Sequence, residues 1–514
     1  MIDTVRVARL NHFLFVDAFH KFALLCLLGL ALPAVLCSQA DSQQDSQLSN
    51  VQALLQRARD VMGSTEAAGM LVHYHASASL TQNYQSDRMY PPFLDFFQEQ
   101  ESWFNPKTAV ERTAVQSSYP LVKPQSSVVL TDAERAFSAG ENGLQVSPRY
   151  VMRPRYLNPW LVVADWIKAG EVRFGGIELY RDFPRTVLAR QTPEGVQRLF
   201  LDPKSGFPVK LEFTERHYLW GQRRLEYVYT TWVSAKGVAL PGASYLLADG
   251  EKEISQTIGD VELIAEASAP SLALPREPDR SEDTLPRFLQ PLPLEITQIG
   301  PTTYILANPG YREVVTQIGD DLFLLDATQG EQRAREDEEQ IAKLFPGKHK
   351  ITVVVTDLAW PHVSGLRYWV ASGAAVVAHK SAHNFLQSVI DRKWTVAPDF
   401  LERHRETIKF KFTGVDRRYE LANGAITLHP IDGIGSEGAL MAFIPSNRFL
   451  WASDFIQSVD EPSQYASEVW KAVHRDGLHP ERTAAEHLNL TPWSKIEELQ
   501  KPQSQIDSAH EHGR

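Results

Sequence analysis

The chain has 514 residues, 43% hydrophobic, 22% charged and 10% aromatic, and its 63 acidic side chains outnumber 52 basic ones for a formal net charge of −11. That length accommodates two or three domains of ~150 residues, and the composition excludes a disordered, collagen-like or coiled-coil chain. The acidic balance argues against a large nucleic-acid footprint, so no nucleic-acid partner is expected.

Arg6, Arg9 and Lys21 precede the apolar run Phe22–Leu36, which Pro33 breaks, and Ser38-Gln39-Ala40 sets small residues at the −3 and −1 positions of a cleavage site. This is the layout of a secretory signal peptide over residues 1–40, cleaved after Ala40. The run falls short of the ~20 residues that span a bilayer as a helix; a retained N-terminal anchor is the alternative. No second stretch reaches spanning length, so the expectation is an exported protein, periplasmic or secreted, with no transmembrane helix after signal removal. Cys26 and Cys37 are the only two cysteines and leave with the signal. The mature chain is then without a cysteine nucleophile, a cysteine–zinc site or a disulfide.

Residues 41–266 read as one α+β domain. After a polar, disordered lead-in, Ser49 or Asn50 caps a helix with Val51, Leu54, Leu55, Ala58, Val61 and Met62 at helical spacing and Gly63 at its end. From Met70 onward the pattern turns to strands, including Leu71–His75, Val196–Leu201 and Pro208–Phe213, with turns at Asp202–Gly206, Gly221-Gln222 and Asp249-Gly250. One helix followed by consecutive antiparallel strands predicts a curved sheet holding a helix. In this order of elements, and in LDPKSGFPVKLEF followed by GVALPGASYLL, the segment resembles the half-barrels of lipoprotein carriers. That resemblance implies a concave face able to take a lipid or hydrophobic peptide; an accessory domain packed on its neighbour is the alternative.

Residues 267–293 carry six prolines, from Pro270 to Pro293, and proline removes backbone donors and fixes φ, so this is a stiff linker. Across residues 294–500, Thr303–Leu306, Val314–Ile318, Leu322–Leu325, Ile351–Val355 and Ala374–Ala378 read as strands. Gln329–Phe345 and Leu366–Ala371 read as helices. Strands and helices in this order indicate an α/β layered fold. Residues 501–514 are a polar tail.

In the runs TYILANPGYREVVTQIGDDLFLLDAT, ITVVVTDLAWPHVSGLRYWV, ITLHPIDGIGSEGALMAFIPSNRFLWASDF and AAEHLNLTPWSKIEEL, the chain resembles the metallo-β-lactamase superfamily. The resemblance implies an αββα sandwich and hydrolase ancestry. It also implies a two-zinc site made by a Thr-His-x-His-x-Asp-His run, a later His, a bridging Asp and a final His. Imidazole and carboxylate are good Zn²⁺ ligands, and two ions activate water and clamp the reacting oxygens. Here Thr356 is followed by Asp357, Leu358, Ala359, Trp360, Pro361 and His362. Asp357, Ala359 and Pro361 stand at ligand positions, and only His362 matches; the later His falls near Gly435. Asp454 matches the bridging Asp and His487 the final His. Asp357 is a fourth donor, an extra ligand or general base.

The dinuclear site implied by the family is therefore largely lost in this sequence. The first expectation is a non-hydrolytic binding or scaffold protein with no metal, taking an unknown small molecule, lipid or peptide. The second is a mononuclear zinc hydrolase of an ester, amide or phosphate, with one Zn²⁺ on His362, Asp454 and His487. The third is a lipid or hydrophobic-peptide carrier acting through the N-terminal sheet. A site rebuilt from Asp357, Asp432, Glu437 or His429 is a further alternative. Trp360, Glu437 and Trp493 are expected to line the cleft. Gly433–Gly438 spells the dinucleotide fingerprint, but a strand follows it where a phosphate-binding helix is required.

Overall fold

The computed structural model describes residues 50–63, 70–81, 95–118, 124–132, 136–140, 143–146, 155–192, 195–274, 293–433 and 436–500. The expected signal peptide and cleavage site, most of the proline-rich linker and the polar tail lie outside the described residues. No helix among the described residues is long and apolar enough to cross a membrane.

The helix α1 (50–62) buries Val51, Leu55, Ala58 and Met62, one stripe at helical spacing. Thirteen strands follow: β1 (Met70–Thr81), β2 (Asp95–Asn105), β3 (Val110–Ser118), β4 (Gln125–Thr131), β5 (Ala136–Gly140), β6 (Gly143–Val146), β7 (Val172–Tyr180), β8 (Phe183–Thr192), β9 (Gly195–Leu201), β10 (Pro208–His217), β11 (Gly221–Ala235), β12 (Val238–Ala248) and β13 (Glu251–Ala265). They form a single sheet in the order 6-5-4-3-2-1-13-12-11-10-9-8-7. Every pair of adjacent strands is antiparallel, β1 closes against β13 at the centre, and β6 and β7 are the two edges.

A second helix, α2 (Pro159–Ala169), is inserted between β6 and β7, where the sequence analysis has only strands. Its apolar run with Val162 and Val163 carries little helical alternation, but its ends are well marked. Asn158 caps Trp160 N, Pro159 occupies the first turn and Gly170 ends it at φ +71°. Trp160 and Trp166 pack with Leu55 and Met62 of α1 against Val72, Tyr74, Leu211 and Tyr227 of the sheet. The sheet face on which a lipid was expected is thus covered by two helices.

The remaining strands build two facing sheets. One holds β14 (Glu295–Gly300), β15 (Thr303–Asn308), β16 (Tyr311–Ile318), β17 (Asp321–Leu325), β18 (Lys350–Val355), β19 (Ala375–His379) and β20 (Phe412–Val415) in chain order. Its pairs are antiparallel up to β17 and parallel from β17 to β20. The other holds β21 (Tyr419–Leu421), β22 (Ile426–Pro430), β23 (Leu440–Ile444), β24 (Phe449–Trp451), β25 (Arg482–Ala485) and β26 (Leu488–Pro492). Side chains alternate along each strand, as the period of 2 demands. Val314, Phe323, Val354, Leu440, Ala442 and Trp451 fill the space between the sheets. Their neighbours Val315, Leu324, Val353, Met441 and Leu450 pack outward, with helices α3 (Glu331–Leu344), α6 (His383–Asp391) and α8 (Gln464–Arg475). The result is an αββα sandwich.

The tip of the β10–β11 hairpin joins the two halves. The turn lies at residues 218–220 rather than at Gly221-Gln222. Leu219 is fully buried in the hydrophobic core of the αββα unit. Gly221, at φ +71°, serves a close approach: a Cβ there would lie 2.4 Å from Trp394 Cγ. Arg392 donates to Trp220 O (3.1 Å) and Asp249 Oδ2 (2.9 Å), clamping the hairpin. Leu219→Ala is expected to cost about 2–4 kcal/mol through the cavity it leaves. Urea denaturation measures this, and a loss below ~0.5 kcal/mol would mean the hairpin does not anchor the two halves.

Candidate metal centre

Four strand ends converge at one edge of the sandwich. β17 runs into Asp326, β18 into Thr356 and Asp357, β24 into Ser453 and Asp454, and β25 into Glu486 and His487. Leu440 N donates to Thr356 O (2.8 Å), tying the two sheets together, and Glu486 N donates to Ser453 O (3.0 Å). Asp326 and Ser453 hold φ of +67° and +55°. Side chains pay for the left-handed region, and such residues gather where a site needs an abrupt change of chain direction.

His362 lies in the short helix α4 (Trp360–Val363), opened by Pro361 after the extended Ala359. Proline fits the first turn of a helix because no carbonyl there needs its N–H. The ligand-like Asp of the family motif is thereby exchanged for a helix start that buries His362 to 3% exposure. His362 Nδ1 lies 3.0 and 3.1 Å from the two oxygens of Asp357. Asp357 is fully buried and also accepts from Ala359 N (2.7 Å) and Ser453 Oγ (2.9 Å). Burial works against its charge, but the His362 imidazolium and these donors hold its carboxyl below the usual range. A carboxylate so engaged orients the imidazole.

His487 is arranged the same way by different means. Its Nδ1 donates to Gly310 O at 2.7 Å, and a carbonyl only accepts, so the proton resides there. Burial, reinforced by the neighbouring His362 charge, pushes its pKa down to about 4. The neutral ring therefore turns a lone pair at Nε2 toward Asp454 Oδ1, 3.4 Å away. Two acceptors facing each other call for a cation between them.

Glu486 is the residue that sequence reasoning missed. It is fully buried, and its Oε2 is in ion-pair contact with His362 Nδ1. Among the described residues no other donor reaches its two oxygens. Burial and the nearby Asp357 charge raise its pKa well above the ordinary value, with His362 only partly opposing them. His362 answers in kind: burial lowers it, but Glu486, Asp357 and Asp454 outweigh burial and hold it well above 6.5. Asp326, which accepts from Thr356 N (2.7 Å) and Trp451 Nε1 (2.7 Å), is pushed up to about 6 by burial and Asp357. The pocket floor therefore concentrates carboxylates around a single imidazolium. The only hint in the sequence was that Glu486 directly precedes a candidate ligand.

One donor atom from each of His362, Asp454, Glu486 and His487 lies within 4.8 Å of the others. Two imidazoles and two carboxylates suit Zn²⁺ or a neighbouring divalent transition metal, and a fully buried carboxylate with one imidazole beside it is a charge that such an ion would compensate. The His487 and Asp454 side chains are 31% and 11% exposed, so the cluster opens on their side. Tyr311 stands there, its ring 5.8 Å from His362 and 5.0 Å from His487.

The other sequence candidates lie elsewhere. Trp360 packs edge-on against His217 (5.2 Å) and Trp220 (5.9 Å) of the β10–β11 hairpin, beneath the Arg223 guanidinium. Trp493 is buried and donates to Glu497 Oε1 (2.7 Å). His429 is bonded to Asp476 and Thr427, and Asp432 lies 3.3 Å from Arg475. Glu437 is half-buried and outside the four-donor cluster.

No protein-family model matches the sequence, and no curated protein does. Solved structures do resemble the chain. The DIM-1 metallo-β-lactamase shares 13% identity, with a TM-score of 0.32 over 41% of this chain and 97% of its own. The metallo-β-lactamase of Hirschia baltica shares 12%, with a TM-score of 0.31 over 40% and 95%. That of Erythrobacter litoralis shares 11%, with a TM-score of 0.32 over 41% and 96%. These are likenesses of fold at low identity, and the αββα layering itself is read from the chain's own two sheets.

Proposed function

We propose that the αββα unit is a mononuclear metal-dependent hydrolase of an ester, amide or phosphate, with one Zn²⁺-class ion held by His362, Asp454, Glu486 and His487. The observation that carries this reading is the convergence of four donor atoms within 4.8 Å, one of them from the fully buried Glu486 carboxylate. When bound, such an ion supplies Lewis-acid polarisation of the scissile carbonyl or phosphoryl oxygen. Asp357 fixes the ring of His362, Gly310 O fixes that of His487, and Tyr311 walls the open side. The expectation of a non-hydrolytic protein rests on Ala359, Pro361 and Gly435 in place of ligands; Glu486 adds a donor from outside that set. An exported location is part of the proposal, supported by Arg6, Arg9 and Lys21 ahead of the Phe22–Leu36 run.

Chelation is expected to abolish hydrolysis of a chromogenic ester, amide and phosphate panel, and added Zn²⁺ to restore it. Turnover that survives chelation rules the reading out; a loaded protein inert to all three substrate classes returns the site to a binding role. Asp357→Asn is expected to weaken Zn²⁺ affinity about 10- to 100-fold, the usual effect of losing the group that orients a ligand histidine. Competition with a chromophoric chelator measures it.

A further inference from the structure

We propose that the outer face of the N-terminal sheet carries a second divalent transition-metal site, with His73, His75 and Glu101 as ligands and Glu262 as the carboxylate that orients His73. The site is independent of the centre in the αββα unit.

His73 and His75 are two apart on β1, so both project from one face. It is the face away from the helices, since the intervening Val72, Tyr74 and Ala76 are the buried ones. β1 is paired on both sides, which fixes the cross-strand partners. Glu101 of β2 stands directly opposite His75, and Glu262 of β13 directly opposite His73. One donor atom from each of His73, His75 and Glu101 lies within 4.8 Å of the others. The rings of His73 and His75 meet edge-on at 5.1 Å, and Trp103 stacks on His73 at 5.4 Å.

The geometry at His73 points to a cation. Its Nδ1 lies 2.8 Å from Glu262 Oε1 and its Nε2 lies 3.0 Å from Glu101 Oε1. An imidazole bridging two carboxylates needs a positive charge, supplied either by a second ring proton or by a metal ion in place of it at Nε2. Donors about 3 Å apart are spaced correctly for a shared ion at ~2.0–2.1 Å from each. With Nδ1–H given to Glu262, Nε2 becomes the ligand in a carboxylate–histidine–metal arrangement. Two imidazoles and one carboxylate select Zn²⁺, Cu²⁺, Ni²⁺ or Co²⁺ over Mg²⁺ or Ca²⁺. A side chain held on three hydrogen-bonded strands loses little further freedom on binding.

The test uses the full chain, stripped of metal and titrated with Zn²⁺ against a chromophoric chelator. His75 is exposed, so His75→Ala leaves the fold intact; it is introduced both alone and on a His487→Ala background. We expect His75→Ala to remove one equivalent of Zn²⁺ in either background, and Glu262→Gln to weaken that equivalent about 10-fold. Hydrolysis should be unchanged by His75→Ala alone. A Zn²⁺ stoichiometry and affinity that His75→Ala leaves unaltered overturn the proposal, whatever the outcome at His487. A change in stoichiometry with His487→Ala alone reports on the other centre.

Discussion

In a His487→Ala variant, the αββα unit is expected to lose its ion and its hydrolytic activity together. Removing a group that merely orients a ligand costs about 10- to 100-fold in affinity, so removing a ligand costs at least about 100-fold. His487 is the right residue for this test because it is the most exposed of the four donors, and its fixed contacts are the Gly310 carbonyl and the Asp454 carboxylate. The fold should survive, since neither partner depends on it for burial. The expected signature is near-normal thermal stability without metal, together with loss of the metal-dependent stabilisation that a ligand binding only the folded state provides. Full turnover and an unchanged Zn²⁺ titration in this variant would refute the assignment of the centre.

Glu486→Gln should move stability and metal affinity in opposite directions. Burial and the neighbouring carboxylates already disfavour the Glu486 charge in the folded chain. A neutral amide of the same size relieves that cost while Asp357 still pairs with His362, so the metal-free protein is expected to gain a few degrees in melting temperature at neutral pH. The same change removes an anionic ligand, so Zn²⁺ affinity should fall at least about 10-fold. A residue retained for structure alone would lose stability on this substitution, and that result would dismiss Glu486 as a ligand.

The pH dependence follows with a definite sign. A carboxyl whose folded-state pKa is raised keeps its proton longer in the folded chain than in the unfolded one. Folding then binds protons between the two values, and stability falls as pH rises through that interval. For Asp326 the interval runs from 3.8 to about 6, and Glu486 extends it upward from the ordinary carboxylate value. His487, lowered from 6.5 to about 4, gains stability over the lower part of this window and offsets Asp326 there, so metal-free protein should lose stability as pH rises above about 6.5, where Glu486 and His362 give up their protons. Saturating Zn²⁺ should flatten the loss, and Glu486→Gln should reduce it. Denaturation midpoints at several pH values, with and without metal, measure all three.

Period-2 and helical spacing disclosed β15 to β19, five of the seven strands of one sandwich sheet, and the stripe of α1, because burial on one face or two leaves its mark along such segments. His362, Asp454 and His487 were legible because each sits in a run that resembles a known family. Glu486 was not, since a lone acidic residue before a histidine has no local signature; only the pairing of β24 with β25 carries it to the pocket floor. Helix α2 was hidden by its own burial, which removed the polar face that marks a helix, although Asn158, Pro159 and Gly170 announced its ends. Gly221 looked like a turn residue, and its true constraint is an indole from another part of the chain.

The sequence by itself determined the helix α1, the strands β15 to β19 and which three residues match the ligand pattern of a known family, since these depend on local spacing and residue type. Only the tertiary structure decided that four donors converge, that Asp357 meets His362, and that the three strands β1, β2 and β13 gather His73, His75, Glu101 and Glu262. Those outcomes depend on which strand ends and neighbours meet in space, and contacts between residues far apart in the chain leave no periodic trace along it.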